Sequence, residues 1–263
     1  MRLRELFALP TLSRRTIEVW RRNAKVFMKT YRVNFIPPVV EPILYLAALG
    51  FGLGLFVKEI EGVSYAKFIA PALIGITIMN ASFFECTYAS FVRMYFQRTF
   101  DAIMATPLNV DEVIAGEMLW GATRSVISTS IMLAVITVFG LATYPFALLA
   151  IPFAFVGGLM FAAFGMCFTA ITPRIDSLNY PTSLFVTPMF LVSGTFFPLS
   201  ALPSGVQTFA NLFVPLVPVV KIARALTLGR LEFDLLLSLV WILAVAGVFF
   251  IIAVNMMKKR LIV

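Results

Sequence analysis

FALLAIPFAFVGGLMFAAFGMCFTAI, residues 146–171, holds 26 positions without one charged side chain. As an α-helix rising 1.5 Å per residue it would be about 39 Å long, more than the ~30 Å hydrocarbon core of a bilayer. A helix on the surface of a soluble domain keeps a polar stripe. This one is apolar on every side, which suits a helix dissolved in lipid. Five further runs of similar character lie at about 36–57, 66–92, 118–140, 179–199 and 235–257. Composition agrees. Of the 263 residues 60% are hydrophobic and only 13% charged, against about 25% charged in soluble domains. The expected fold is all-α: a polytopic membrane protein with six transmembrane helices over 36–263, preceded by a basic segment, 1–35.

Polar and breaking residues set the ends of these runs. Pro37, Pro38 and Pro42 open the first, so its start is expected to be kinked or broken. The 35 basic and polar residues ahead of it do not fit a cleavable signal peptide. Lys and Arg near span ends favour the cytoplasmic side. With the N-terminus inside, segments 1–35, 93–117, 172–178 and 258–263 carry 15 of the 21 basic residues. The outer segments carry Lys58, Lys67, Lys221, Arg224 and Arg230. Both termini are therefore expected in the cytoplasm, with the chain multi-pass in the cytoplasmic (inner) membrane. The net charge of +8 flanks apolar spans, so anionic membrane lipids are the expected partner and nucleic acid is not.

Residues 14–33 place Ile17, Trp20, Ala24, Phe27 and Tyr31 in one sector of a helical wheel, with Glu18, Arg22, Lys25 and Lys29 opposite. That is a basic amphipathic helix for the membrane interface, anchored by Trp20, Phe27 and Tyr31. At the other face, residues 203–228 (PSGVQTFANLFVPLVPVVKIARALTL) are apolar but broken by Pro215 and Pro218. The pieces are too short to span, and a seventh span would put Lys258, Lys259 and Arg260 outside. An external re-entrant helical hairpin over about 200–230 fits instead.

Residues 99–117 read TFDAIMATPLNVDEVIAGE. Thr99 is expected to cap a short helix with Phe100, Ile103 and Met104 on one side. Thr106-Pro107 breaks it, and Asn109 with Glu112 makes a capping-box start for the next helix. A short helix lying across the ends of the spans suits either docking to a cytoplasmic partner or plain connection.

Continued by Met118-Leu119-Trp120-Gly121, this segment resembles that of the type-2 ABC exporter permeases, closest to the branch of nodulation-factor (lipo-oligosaccharide) exporters. The run 191–205, LVSGTFFPLSALPSG, with Pro215-Leu216 and Pro218, is similar to the family's passage from the fifth span into its external hairpin. Gly194, Pro198, Pro203, Pro215 and Pro218 mark it here. The resemblance covers essentially the whole chain. It implies a permease dimer, homodimeric or paired with a sister permease, that binds two ABC ATPase subunits. It makes 93–117 the coupling segment, with Thr99, Phe100, Asp101, Ile103, Thr106, Pro107, Glu112, Gly116 and Glu117 as coupling residues. ATP and Mg would then bind the partner. No G-x-x-x-x-G-K-[ST] loop occurs in this chain, so it is expected not to be an enzyme and to carry no cofactor or metal.

Charges inside spans are functional candidates. Glu85 near the inner end of the second span and Arg124 near that of the third stand at similar depth if the helices are antiparallel. They are expected to pair, with double charge reversal rescuing either single reversal. Glu41, between Pro38 and Pro42, reads as an interfacial residue. Cys86 and Cys167 lie in apolar runs and form no metal or disulfide pattern, and the absence of histidine excludes a His-based triad. The 27 phenylalanines and the glycines Gly157, Gly158 and Gly165 read as helix packing. The expected cargo is an amphipathic molecule such as a lipid-linked or lipo-oligosaccharide. A hydrophobic drug or natural product is the alternative within the same class. Proton-coupled secondary transport through Glu85 is the alternative outside it.

Overall fold

The computed structural model describes residues 6–57, 59–60, 62–230 and 233–262; Lys58, counted above as an outer charge, lies outside them. The architecture is all-α. Among the described residues five helical runs are long and apolar enough to cross a membrane: Pro38–Leu55, Tyr65–Phe96, Val110–Val138, Phe146–Ile171 and Asp234–Ile262. The elements are α1 (Thr16–Lys29), α2 (Tyr31–Tyr45), α3 (Tyr65–Phe84), α4 (Thr99–Met104), α5 (Val110–Val138), α6 (Ala150–Ile171), α7 (Thr187–Val192), α8 (Ser204–Phe213), α9 (Leu216–Leu228) and α10 (Asp234–Ile262). A two-residue hairpin ladder, β1 (Glu59–Ile60) with β2 (Val63–Ser64), joins the first two spans.

Helix α6 is the hub, with α3, α5 and α10 all packed on it. Small residues permit this, because lipid supplies no hydrophobic drive between helices and close packing must hold them. A Cβ on Gly165 would stand 2.8 Å from the Phe83 carbonyl oxygen, so α3 and α6 meet there backbone to backbone. Phe83 and Phe161 are fully buried in the packed bundle, and so is Phe68 near the other end of α3, as the packing role expected of the phenylalanines requires.

Several boundaries differ from the sequence reading, each for a local reason. The prolines do not break the first span: α2 runs through them, and the irregularity comes later, as a π-helix over Leu46–Gly52. The second span does not stop at residue 92. It continues through π-helical turns at Glu85–Ala89 and Val92–Phe96, and α5 begins at Val110. The connection is therefore 97–109, and Arg93, Glu112, Gly116 and Glu117 belong to the spans. The fifth run, 179–199, is helical only as far as Val192. It passes from Asn179–Pro181 through a π-turn at Thr182–Val186 into α7, and Gly194, whose φ of 74° is left-handed, turns the chain away after it.

After it, α8 and α9 meet at 88°. Pro203 precedes the first turn of α8 and Pro215 that of α9. Pro198 opens a single 3-10 turn between α7 and α8. Pro218 sits in the first turn of α9, where its missing N–H costs nothing. Most of α9 is buried against α3, so this apolar segment is covered by protein. Helix α8 instead exposes Phe209, Leu212 and Phe213.

Candidate functional site: a buried ionic chain beside the short transverse helix

Residues 6–13 and the last turn of α10 lie at the same end of the bundle, where the Asn255 side-chain amide donates to the carbonyls of Leu6 and Ala8 at 3.0 and 2.8 Å. Helix α1 lies against α5 at this end. Its buried sector is Thr16, Val19, Asn23 and Phe27. That is the expected apolar face rotated toward Thr16 and Asn23, with Glu117 on α5 accepting from Asn23. The expected lipid anchors Trp20 and Phe27 are engaged with protein: the Trp20 indole donates to Thr123 Oγ1 at 2.8 Å, and the Phe27 ring lies 5.6 Å from that of Trp120. Tyr31 is exposed, as are Ile17, Val26 and Met28.

The chemistry concentrates where α1, α3 and α5 meet. The π-turn at Glu85–Ala89 resets the register of α3, so that Arg93, eight residues beyond Glu85, returns to it. Such turns recur at functional positions. Arg93 Nη1 donates to Glu85 Oε1 at 2.8 Å, and its Nη2 stands 2.7 Å from Glu117 Oε2. Ser90 Oγ donates to the same Glu117 oxygen at 2.8 Å, and Asn23 Nδ2 to its other oxygen at 2.7 Å. Glu85 also accepts from Trp120 Nε1 at 3.0 Å and is ion-paired with Arg124 Nε at 3.3 Å. The Arg124 guanidinium lies 4.6 Å from the centre of the Phe27 ring. Glu117 is 0% exposed. A charge at mid-helix in a bilayer costs about 2.5–3.5 kcal/mol, and the mutual pairing offsets that cost.

The chain of contacts continues outward. Arg22, expected on the solvent side of α1, turns inward. Its Nη1 donates to Asn23 Oδ1 at 2.8 Å and its Nη2 to Thr99 Oγ1 at 3.3 Å. Burial pushes the Arg22 pKa below its ordinary value, an effect that Glu117 offsets and Arg93 reinforces. A continuous polar path thus runs from Thr99 on α4 through Arg22, Asn23, Glu117, Arg93 and Glu85 to Arg124. A cavity of about 350 Å³ opens along it, lined by Arg22, Asn23, Tyr88, Arg93, Trp120 and Arg124 among others. Both Glu85 oxygens are occupied by donors or cations, which leaves the proton-coupled reading without support from this geometry.

Helix α4 is set off from α3 by Arg98, whose φ of 48° is the one left-handed non-glycine conformation among the described residues. Thr99 does not cap α4: Arg98 holds the N-cap position without a side-chain bond, and the Thr99 hydroxyl receives Arg22. The Asn109–Glu112 capping box is present in full. Of the nine expected coupling residues, Asp101, Thr106 and Pro107 are exposed and Ile103 partly so. Thr99, Phe100, Glu112, Gly116 and Glu117 are buried.

Residues 11–15 strap the connection down. Thr11 donates twice to Asp111 Oδ2, both at 2.9 Å, Ser13 donates to Glu112, and Lys258 pairs with Asp111 at 3.1 Å. Gly116 seats α1: a Cβ there would stand 2.6 Å from Val19 Cβ and 2.9 Å from the Thr16 carbonyl oxygen. Gly116→Leu is therefore expected to lift α1 off α5 at a cost of about 1–3 kcal/mol. Faster tryptic cleavage at the exposed Arg21, Lys25 and Lys29 is the readout; unchanged cleavage would show that α1 is held elsewhere.

Sequence reading found Glu85 and Arg124 and missed Arg93, Arg22 and Asn23. Sequence reading places Arg93 in the connection, because eight residues are about 2.2 turns of a regular α-helix and only the π-turn brings Arg93 back to Glu85.

Residues 14–228 match the family model described as ABC-2 type transporter. Nodulation protein J of Rhizobium leguminosarum bv. trifolii is 36% identical over 223 residues, 85% of each chain. Nodulation protein J of Rhizobium meliloti (strain 1021) is 32% identical over 254 residues, 97% of each. The Inner membrane transport permease YadH of Escherichia coli (strain K12) is 24% identical over 198 residues, 74% of this chain and 75% of its own length.

Proposed function

This chain belongs to the ABC-2 type transporter family, and on that premise we propose that it is the transmembrane permease subunit of an exporter driven by a separate ATPase. In this reading two permease chains, most simply two copies of this one, bind two ATPase subunits that carry ATP and Mg²⁺. The complex sits in the inner membrane with both termini in the cytoplasm. The cargo is an amphipathic molecule of the lipo-oligosaccharide class, which the resemblance to the nodulation-factor exporter branch and the Nodulation protein J relatives support.

The observation that carries the reading is the polar path from Thr99 to Arg124. Helix α4 presents Asp101 outward, as the turn after it does Thr106 and Pro107, while Phe100 anchors it inward. A groove of about 380 Å³ lies beside it, lined by Glu18, Arg22, Ala102, Ile103 and Thr106 among others. An ATPase pushing on α4 would displace Thr99, hence Arg22 and α1, and through Asn23 and Glu117 the inner ends of α3 and α5. Buried charge-assisted bonds resist stretching, so they transmit such a displacement better than side chains sliding in lipid. The external α8–α9 pair would close the pathway at the other face as a re-entrant hairpin.

The test is capture of the tagged chain from its native membranes in mild detergent. A stoichiometric P-loop ATPase is expected, cross-linking through Asp101→Cys and Thr106→Cys but not through the buried Phe100→Cys. Capture of no ATPase by any route would defeat the reading. Asn23→Leu should leave assembly intact and reduce export by about tenfold or more, since coupling energies between sites run about 1–3 kcal/mol. Equal export by the variant would remove the polar path from the mechanism.

A further inference from the structure

At the end of the bundle opposite residues 6–13, a cavity of about 430 Å³ lies between the start of α3, the turn before α8, and α9. Its volume is within the range of small-molecule sites. Its lining is sharply divided. Phe68, Val217 and Val220 supply an apolar wall, and Lys221, Arg224 and Arg230 supply three cations. No carboxylate lines it among the described residues. Asp234 reaches Lys221 from outside the lining, so Lys221, Arg224, Arg230 and Asp234 together carry plus two. Arg224 is held in place: its Nη2 donates to the Gly194 carbonyl at 3.0 Å, and its guanidinium lies 4.1 Å from the centre of the Phe68 ring. Lys221 is half-buried and Arg230 exposed, so one cation is fixed and two can adjust.

We propose that this cavity binds the phosphodiester headgroup of an anionic membrane lipid at the face opposite the termini. A planar guanidinium beside an ammonium suits a phosphate, which can accept from both at once. A lipid source is favoured over soluble phosphate by position. The cavity opens at the ends of the spans, and α8, which contributes Asn211 to it, exposes Phe209, Leu212 and Phe213, a surface for acyl chains beside the headgroup pocket. The site does not depend on the export reading, since binding needs neither ATP nor a partner subunit.

The experiment uses the full chain in phosphatidylcholine nanodiscs titrated with phosphatidylglycerol, with bound lipid counted by native mass spectrometry. Wild type is expected to retain phosphatidylglycerol over phosphatidylcholine. The Lys221→Gln/Arg230→Gln variant should lose roughly 25-fold in apparent affinity, about fivefold per cation near a lipid surface. Leu228→Trp, which fills the cavity from its apolar side, should also lose the lipid and serves if the double variant misfolds. Three results would each overturn the proposal: no preference for phosphatidylglycerol in wild type, unchanged affinity in Leu228→Trp, or displacement of the lipid by an equal concentration of inorganic phosphate. The last would identify a soluble phosphate as the ligand.

Discussion

Arg93→Met is expected to destabilise the folded chain by about 3–5 kcal/mol, the cost of stranding buried charges without their partner. The substitution keeps the unbranched stem and deletes only the guanidinium. That group is the one cation within salt-bridge distance of both Glu85 and Glu117 among the described residues. Glu117, with no exposed surface, would keep only the neutral donors Asn23 and Ser90. The measurement is an unfolding titration in bicelles. Adding Glu117→Gln to Arg93→Met should recover at least half of the loss, because removing a buried charge together with its partner is far milder than removing one alone. Wild-type stability in Arg93→Met would show that the carboxylates are solvated and that the network holds nothing together.

The double reversal Glu85→Arg/Arg124→Glu is expected to fail as badly as either single reversal. Considered as an isolated pair, Glu85 and Arg124 should be exchangeable. The structure makes them members of a larger set. Arg93 stands 2.8 Å from Glu85 Oε1, and the Trp120 N–H points at the same oxygen from 3.0 Å. An arginine at position 85 would meet the Arg93 guanidinium and the Trp120 indole, so that Arg93 keeps Glu117 but faces a like charge and the indole loses its acceptor. A glutamate at position 124 would lie against the face of Phe27, where the ring's negative quadrupole repels it. Yield of monodisperse protein and its thermal midpoint are the readouts. Full rescue would mean that the 3.3 Å Arg124–Glu85 contact dominates and that Arg93 is incidental.

Legibility in the sequence followed the range of the forces concerned. The spans were legible because lipid imposes a one-dimensional rule: about 20 apolar residues in a row. The Asn109–Glu112 capping box was legible because its partners are three residues apart. The break at Pro215 was legible because proline acts on its own backbone. The prolines of α2 show the limit of that rule, since a helix long enough to be held elsewhere runs through them.

Sequence alone thus determined the membrane class, the all-α architecture, the short helix between the second and third spans and the presence of charges in the spans, all of which arise from local composition and local hydrogen bonding. The tertiary structure decided the rest. It chose which face of α1 is buried, because Thr123 and Glu117 on α5 outcompete lipid for Trp20 and Asn23. It brought Arg93 back to Glu85 through a π-turn that no propensity foretells. It gathered Lys221, Arg224 and Arg230 around one cavity. A buried charge is stable only beside its counter-charge, and which residues become neighbours across about a hundred positions of chain is fixed by helix packing.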